Sequence, residues 1–290
     1  RSQNLRLMKY YLLPLFLLIN FVSHAQWIKE KGDAYLKLGG WSLLAYEHFT
    51  DEGKLDPNAT RGLFISSLYG QIGLSKKINL IAYVPFFVKN YQFAQVSKTN
   101  NKEYEPRQVY NGLGDINLGI EYGFGQLKNW HFSGTLTLGI PSGADAAGID
   151  GSYQTGDGEF NQLLQGNVGK SFSLGGQGFY FKSYLGYNNR TEGFSDELHS
   201  YAETGTQFLK SKLLLLTRMH WIKPLYNGTL DASNANGAIF ANNIESLVLG
   251  GEIAVLLSSK WGISLGASTP LYGKVIYRAS SFSGGVFLNL

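Results

Sequence analysis

Hydrophobic and polar residues alternate along most of this chain with a period of two. From Ile116 to Phe124 every second residue is apolar, whereas the residues between them are Asn, Gly or Glu. The same alternation recurs in later segments, for example in residues 130–142. Successive side chains of a strand point to opposite faces, so this period predicts β-strands with one apolar and one polar face.

About twelve such strands follow one another, and their connections alternate between short and long. The predicted strands span residues 33–46, 62–75, 78–92, 113–125, 130–142, 160–174, 178–191, 198–209, 212–226, 243–257, 261–272 and 278–290. Outer-membrane barrels show this asymmetry because one rim faces the periplasm and the other faces the outside. A soluble β-sandwich also alternates, but it has no reason to sort its loops by length. The pattern predicts an all-β fold, a transmembrane antiparallel up-and-down β-barrel of about twelve strands.

The N-terminal residues are typical of a secretory signal peptide. An apolar run over Tyr11–Val22 follows a lysine and precedes the small-x-small cleavage site Ser23-His24-Ala25. A membrane-spanning helix needs roughly 20 apolar residues, so this run is too short for one. We expect translation to start at Met8, residues 1–25 to comprise upstream sequence and a cleaved signal peptide, and residues 26–290 to form the barrel.

Composition narrows the range of functions. The 290 residues include 36 glycines, no cysteine and only 16% charged residues, against about 25% in ordinary soluble domains. A chain without cysteine has no disulfide, no thiolate metal cluster and no cysteine nucleophile. The formal charge of +4 is too small for this length to indicate nucleic-acid binding.

Aromatic side chains cluster beside the tight turns, on the apolar face of the strands. Aromatic rings form girdles at the headgroup depth of membrane barrels. We therefore predict a girdle at the turn-side rim that consists of Phe124, Trp130, Phe132, Phe172, Phe179, Phe208 and Trp261. The last strand alternates up to Leu290, as barrel-insertion signals do, although such signals usually end in Phe.

Charged residues of both signs fall on the opposite, lumen-facing side. The predicted lumen-lining residues are Asp115, Glu121, Lys182, Arg190, Glu203, Arg218 and Glu252, and Lys37 and Lys89 share their parity. Buried charges need partners, so these residues either form an interior salt-bridge network that shapes the wall or line a polar pathway. Because the signs are mixed, the sequence predicts neither anion nor cation preference.

Two further patterns raise the possibility of metal binding or catalysis. The acidic segment 143–159 could offer oxygen ligands to calcium, but its spacing fits no EF-hand, and we predict no metal and no cofactor. His131 and Ser133 have the His-x-Ser spacing of outer-membrane lipid A deacylases, in which a His activates a Ser. Both residues have lumen parity beside a periplasmic turn, whereas lipid A lies in the outer leaflet. We therefore predict that the protein is not an enzyme, and a lipid-modifying enzyme is the least favoured alternative.

Short glycine-based motifs give the chain a family resemblance. They are Gly112-Leu113-Gly114-Asp115-Ile116, Leu138-Gly139-Ile140-Pro141-Ser142-Gly143 and Gly186-Tyr187-Asn188. On these motifs, most of the chain after the signal peptide resembles the outer-membrane barrels grouped as a phenol-degradation meta-pathway or transporter family. That family is distantly similar to the long-chain fatty-acid outer-membrane channels. The resemblance implies uptake of small, hydrophobic or aromatic compounds across the bacterial outer membrane.

The sequence thus predicts an outer-membrane channel for passive uptake of small solutes, in which the long loops 93–112 and 143–159 restrict entry. The alternative is a non-conducting structural or adhesive barrel whose loops bind a surface partner. The expected partners are outer-membrane lipids, the secretion and barrel-assembly machinery during biogenesis, and a small-molecule solute. We predict no nucleic-acid partner.

Overall fold

The computed structural model describes residues 28–57, 59–97, 99–149, 151–230 and 239–290. The predicted signal peptide lies outside these residues. Among them, no helix is long and apolar enough to cross a bilayer.

Twelve antiparallel strands form one closed barrel. In chain order they are β1 (Ala34–Ala45), β2 (Arg61–Ser75), β3 (Ile78–Gln92), β4 (Gln108–Gly112, continued by Ile116–Leu127), β5 (Trp130–Ile140), β6 (Asn161–Leu174), β7 (Gln177–Arg190), β8 (Glu197–Phe208), β9 (Leu213–Pro224), β10 (Glu245–Leu256), β11 (Trp261–Lys274) and β12 (Ser281–Asn289). Each strand pairs with its neighbours in sequence, and β1 closes the barrel by pairing with β12 as well as with β2. Closure leaves no edge, and an unpaired backbone group in lipid would cost several kcal/mol. The predicted fold class is confirmed.

The outer face of the barrel is apolar, and the inner face is polar. On β4, Leu118, Ile120 and Tyr122 are 44–46% exposed, whereas Gly119 and Glu121 between them are buried. The alternation that predicts the strands therefore separates a lipid-facing surface from the barrel interior.

The structure places the seven predicted girdle residues at the turn-side ends of their strands. Five of them are 39–66% exposed, namely Phe124, Phe132, Phe172, Phe208 and Trp261. Phe179 stacks on Phe172 with ring centroids 5.7 Å apart, and Trp130 is paired in register with Lys170. Contact of these rings with lipid headgroups stays a prediction.

The regular barrel is interrupted around Pro85 in β3. A proline has no backbone N–H to donate, so the hydrogen-bond ladder fails at this residue. The neighbouring strand β4 is interrupted at residues 113–115. There the N–H of Gly114 donates to the carbonyl oxygen of Pro85 at 2.9 Å. The predicted start of the fourth strand at residue 113 is therefore wrong, because the strand begins at Gln108 and residue 113 lies in the break. The other strand ends agree with prediction to within three residues.

The same irregularity reverses the side-chain parity of the upper part of β3. Phe86 and Phe87 are both exposed, and beyond them Val88 and Asn90 are buried. Lys89, between these two buried residues, faces outward. The predicted lumen parity of Lys89 is wrong, because a shift by one residue exchanges the two faces of a strand.

Candidate functional site

The loop of residues 141–160, between β5 and β6, folds into the barrel instead of extending outward. Tyr153, Thr155 and Glu159 in this loop are each at most 1% exposed. A polar loop of this length is normally solvated, so its burial requires specific partners for its backbone groups.

Asp115 holds both ends of this loop. The break in β4 turns its side chain inward, where Oδ1 accepts the N–H of Gly143 at 2.8 Å and Oδ2 accepts the N–H of Asp157 at 2.7 Å. A Cβ atom at Gly156 would lie only 2.2 Å from Oδ1, so the close approach of loop and carboxylate requires glycine. Asp115 lies on the inner side of the wall, and it is an anchor for the loop.

The tip of the loop is held by β2 and β3. Arg61 of β2 donates to the hydroxyl of Ser152 at 3.0 Å, and its guanidinium carbon lies 4.2 Å from the centre of the Tyr153 ring. Asn90 of β3 donates to the carbonyl oxygen of Gln154 at 3.0 Å. The loop therefore crosses the lumen from β5 and β6 towards β2 and β3.

Glu159 connects this loop to the next one, residues 191–196. Its carboxylate accepts the backbone N–H of Glu192 at 2.7 Å and that of Phe194 at 3.2 Å. Burial of the Glu159 carboxyl raises its pKa above the ordinary value, although both N–H groups favour the ionised form.

Asp196 closes the 191–196 loop at its other end. It accepts the N–H of Arg190 at 3.0 Å and the side-chain amide of Asn227 at 2.8 Å. Burial opposes ionisation of this carboxyl, but these bonds and one from the Tyr187 hydroxyl outweigh it, so the pKa of Asp196 lies below its ordinary value.

Beneath the inward loop lies a chamber of about 430 Å³. One side of its lining is polar and comes from β4, β6, β7, β8 and the loop: Asp115, Asn117, Asp157, Asn161, Asn188, Arg190, Glu197 and His199. The other side is mainly apolar and comes from β2, β3, β9 and the outer connections: Ile65, Val88, Ile222, Ile239, Phe240, Ile244 and Ile276. This volume and this mixture of surfaces are typical of small-molecule sites.

Arg190 lies at the centre of the polar side. Its side chain is 5% exposed, and its guanidinium contacts Glu197 at 2.9 Å and Asp157 at 2.6 Å. Glu197 also contacts Nε2 of His199 at 3.0 Å. The single positive charge of Arg190 is shared by the carboxylates of Asp157 and Glu197, and Asp115 adds a third carboxylate to the lining. The charged lining of the chamber therefore has an excess of negative charge.

Deeper in the lumen, four of the predicted charged residues form a ladder with Lys37. Glu252 contacts Lys37 and Arg218, each at 2.9 Å, and Glu203 contacts Lys182 at 3.0 Å and Arg218 at 3.5 Å. Each carboxylate lies between two cations, which compensates the cost of burying it. The ladder runs along the inner wall from β7 through β8, β9 and β10 to Lys37 on β1.

Glu121 lies apart from this ladder, nearer the turn-side rim. It is 8% exposed and accepts hydrogen bonds from Asn79 at 3.0 Å and from the Ser133 hydroxyl at 2.7 Å. In the described part of the chain, no group of three or more His, Asp or Glu side chains could hold a metal ion. Asp150 of the acidic loop lies outside the described residues.

The sequence analysis does not predict the aromatic cluster on the inner wall. The rings of Tyr184 and Tyr201 stack with centroids 5.2 Å apart, and those of His199 and His220 lie 5.4 Å apart. Tyr184 lies two residues from Lys182 on the same strand and so has the same lumen parity. That parity could have identified Tyr184 as a lumen-facing residue. The inward contacts of Arg61 and Asn90 have no comparable signal, because they depend on a loop that crosses the lumen.

Comparisons with known proteins agree with this architecture. Among solved structures, the chain is similar to an outer membrane channel from Pseudomonas putida F1, with a TM-score of 0.58 and 11% identity over 90% of this chain and 97% of that chain. The protein is a barrel of the bacterial outer membrane. It also matches the translocator domain of the autotransporter NalP from Neisseria meningitidis (TM-score 0.46, 12% identity, 90% of each chain) and the CymD monoaromatic hydrocarbon channel (TM-score 0.38, 9% identity, 90% of this chain and 88% of that one).

These likenesses concern the fold, since the identities are low. No family model matches the chain, and no curated protein matches it. The barrel architecture that the family resemblance implies is confirmed, as is the outer-membrane location.

Proposed function

We propose that this barrel is a passive channel for small solutes and that the chamber beneath loop 141–160 selects them. The observation that carries the proposal is the position of this two-sided chamber inside a closed barrel. A polar group of a solute exchanges water for the polar side, while its apolar part packs against the other side. The polar lumen lowers the cost of moving such a solute across the hydrocarbon layer.

The chamber favours uncharged and cationic solutes over anions. Asp115, Asp157 and Glu197 outnumber Arg190, and the guanidinium of Arg190 already binds two of these carboxylates. An anion therefore meets net negative charge in a site of low dielectric, where repulsion is strong. Hydrophobic and aromatic bodies suit the apolar side, as the family resemblance implies.

Conductance in planar bilayers tests the channel. We expect purified, folded protein to conduct, to prefer cations in reversal-potential measurements, and to let uncharged solutes swell vesicles. Absence of both current and swelling would contradict the proposal and favour the non-conducting structural or adhesive barrel.

Two variants of the charge ladder test whether solutes pass through the lumen. Arg218→Gln removes a cation that lies between two carboxylates, so the preference for cations should rise. Glu203→Gln removes the carboxylate between Arg218 and Lys182, so that preference should fall. Opposite shifts support a lumenal path, and unchanged selectivity in both variants contradicts it.

We also propose that the barrel catalyses no reaction. In the His-x-Ser pair, the single hydroxyl proton of Ser133 is donated to Glu121 at 2.7 Å. That proton is therefore not donated to the imidazole of His131, as activation of a Ser nucleophile by His would require. Loss of a lipid-acyl hydrolase activity in a His131→Ala variant would contradict it.

A further inference from the structure

The tight turns at one rim of the barrel are densely basic. The five tight turns, at residues 76–77, 128–129, 175–176, 209–212 and 257–260, contain no Asp or Glu. They hold six exposed lysines: Lys76, Lys77, Lys128, Lys210, Lys212 and Lys260. Across the described ranges, none of the six lysines contacts a carboxylate in an ion pair.

These lysines form a ring rather than a patch. They occupy four of the five turns, and the remaining turn, Gly175-Gly176, follows a strand that carries Lys170 near the same rim. The long connections at the other end of the barrel carry an excess of Asp and Glu instead. A single protein partner would need a patch on one side, whereas a ring matches the annulus of headgroups that surrounds a barrel in a membrane.

Two contacts join cations of this rim to aromatic rings at the predicted headgroup depth. Nζ of Lys170 lies 5.1 Å from the centre of the Trp130 ring, and Nζ of Lys77 lies 5.9 Å from that of Tyr122. Both rings belong to the outward face, beside the aromatic girdle. Lysine stems run along apolar surface while their ammonium groups reach the polar layer, which is the arrangement expected at a lipid interface.

We infer that this basic rim binds anionic phospholipid headgroups of the periplasmic leaflet. The charge is complementary, none of the six lysines forms an ion pair in the described structure, and their spread around the barrel fits lipids. A lysine near an anionic lipid surface enriches that lipid about fivefold. The inference concerns the outside of the barrel and does not depend on the channel function.

Fluorescence quenching by brominated lipids tests this inference at the rim itself. Trp130 and Trp261 lie at the basic rim, whereas Trp221 lies on the outward face towards the other end. In a Trp27→Phe/Trp41→Phe background, a Trp221→Phe variant reports on the basic rim, and a Trp130→Phe/Trp261→Phe variant reports on the opposite one. The probes are brominated phosphatidylglycerol and brominated phosphatidylcholine in phosphatidylcholine vesicles.

We expect brominated phosphatidylglycerol to quench the basic-rim reporter with an affinity about fivefold above that of phosphatidylcholine. The ratio of the two affinities should fall towards one at about 0.5 M salt, because screening shortens the reach of the charges. The opposite-rim reporter should show no such preference. Equal quenching by both lipids at the basic rim would overturn the inference and would leave the lysines as a docking site for an acidic macromolecule.

A matched pair of variants assigns the effect to the lysines. Lys128→Gln/Lys170→Gln/Lys260→Gln removes the cations nearest to Trp130 and Trp261 and should lose most of the preference at the basic-rim reporter. Lys54→Gln/Lys102→Gln/Arg107→Gln removes three exposed cations from the other end and should retain it. Undiminished preference in the first variant would overturn the inference. The salt titration of the unmodified lysine ring remains decisive if the first variant does not fold.

Discussion

Replacement of Gly156 by alanine should release the inward loop from its anchor. The added Cβ would lie 2.2 Å from Oδ1 and 2.5 Å from Cγ of Asp115, far inside any allowed contact distance. The carboxylate has little freedom to move, because its two oxygens accept the N–H groups of Gly143 and Asp157. Either the loop or the carboxylate must therefore shift, and one or both hydrogen bonds are lost.

The magnitude follows from the kind of bond. A hydrogen bond to a charged group contributes about 1.5–3 kcal/mol, so loss of one or both weakens the inward position of the loop by about 1.5–6 kcal/mol. Since 1.4 kcal/mol corresponds to a factor of ten in an equilibrium constant, the outward population should rise at least about tenfold.

Chymotrypsin measures this population through Tyr153, which is 1% exposed while the loop lies inside. We expect cleavage after Tyr153 to become at least about tenfold faster in Gly156→Ala, in proportion to the open population. Single-channel conductance should rise, because the loop no longer crosses the lumen. Gly166→Ala on β6 is the control, since a Cβ there meets no atom within 4 Å.

Wild-type cleavage and conductance in Gly156→Ala would refute this reasoning. A second check uses non-additivity, because two changes that break the same contact should not add. In an Asp115→Ala background, Gly156→Ala should therefore have little further effect. A full additional effect would show that glycine is needed at this position for another reason.

Two further predictions concern stability. Arg190→Gln leaves the buried carboxylate of Glu197 and the partly buried carboxylate of Asp157 without their shared cation, and it should lower the free energy of unfolding, measured by urea titration in lipid vesicles, by about 3–5 kcal/mol. Arg278→Gln, which breaks an exposed pair with Glu47, should cost less than about 1 kcal/mol, and equal losses would contradict the role assigned to burial. The pKa of Asp196 is lower in the folded protein than its ordinary value, so its contribution is present above that value and is lost as the pH falls through the folded pKa. The stability advantage of the wild type over Asp196→Asn should accordingly be full at about pH 6 and should shrink as the pH falls below the ordinary pKa of an aspartate, and an advantage that grows on acidification would count against it.

The barrel itself could be predicted because its signals are local. The alternation of Leu118, Ile120 and Tyr122 with small and polar residues depends only on neighbouring positions. The sorting of connections by length depends only on which rim each connection occupies. Strand limits therefore agree closely with prediction, except beside Pro85, where a missing backbone donor disturbs two strands together.

Parity also predicts on which face a charged residue lies, but it cannot identify the partner of that residue. Lys37 and Glu252 are 215 residues apart in sequence and 2.9 Å apart in the barrel. Such a pair depends on closure of β1 against β12 and on the register of every strand between them. The parity of Lys89 fails for the same reason, because pairing with β2 and β4 determines where the irregularity lies.

By itself, the sequence determines a barrel with an apolar outside and a polar inside, because the strand period follows directly from the order of residues. Only the tertiary structure shows that loop 141–160 folds inward, because its anchor combines one carboxylate with two distant backbone N–H groups. Only the tertiary structure shows which lumenal charges pair with one another in the ladder and which leave the chamber with net negative charge. Electrostatic interaction depends on distance in space, and a linear order of residues contains no such distances.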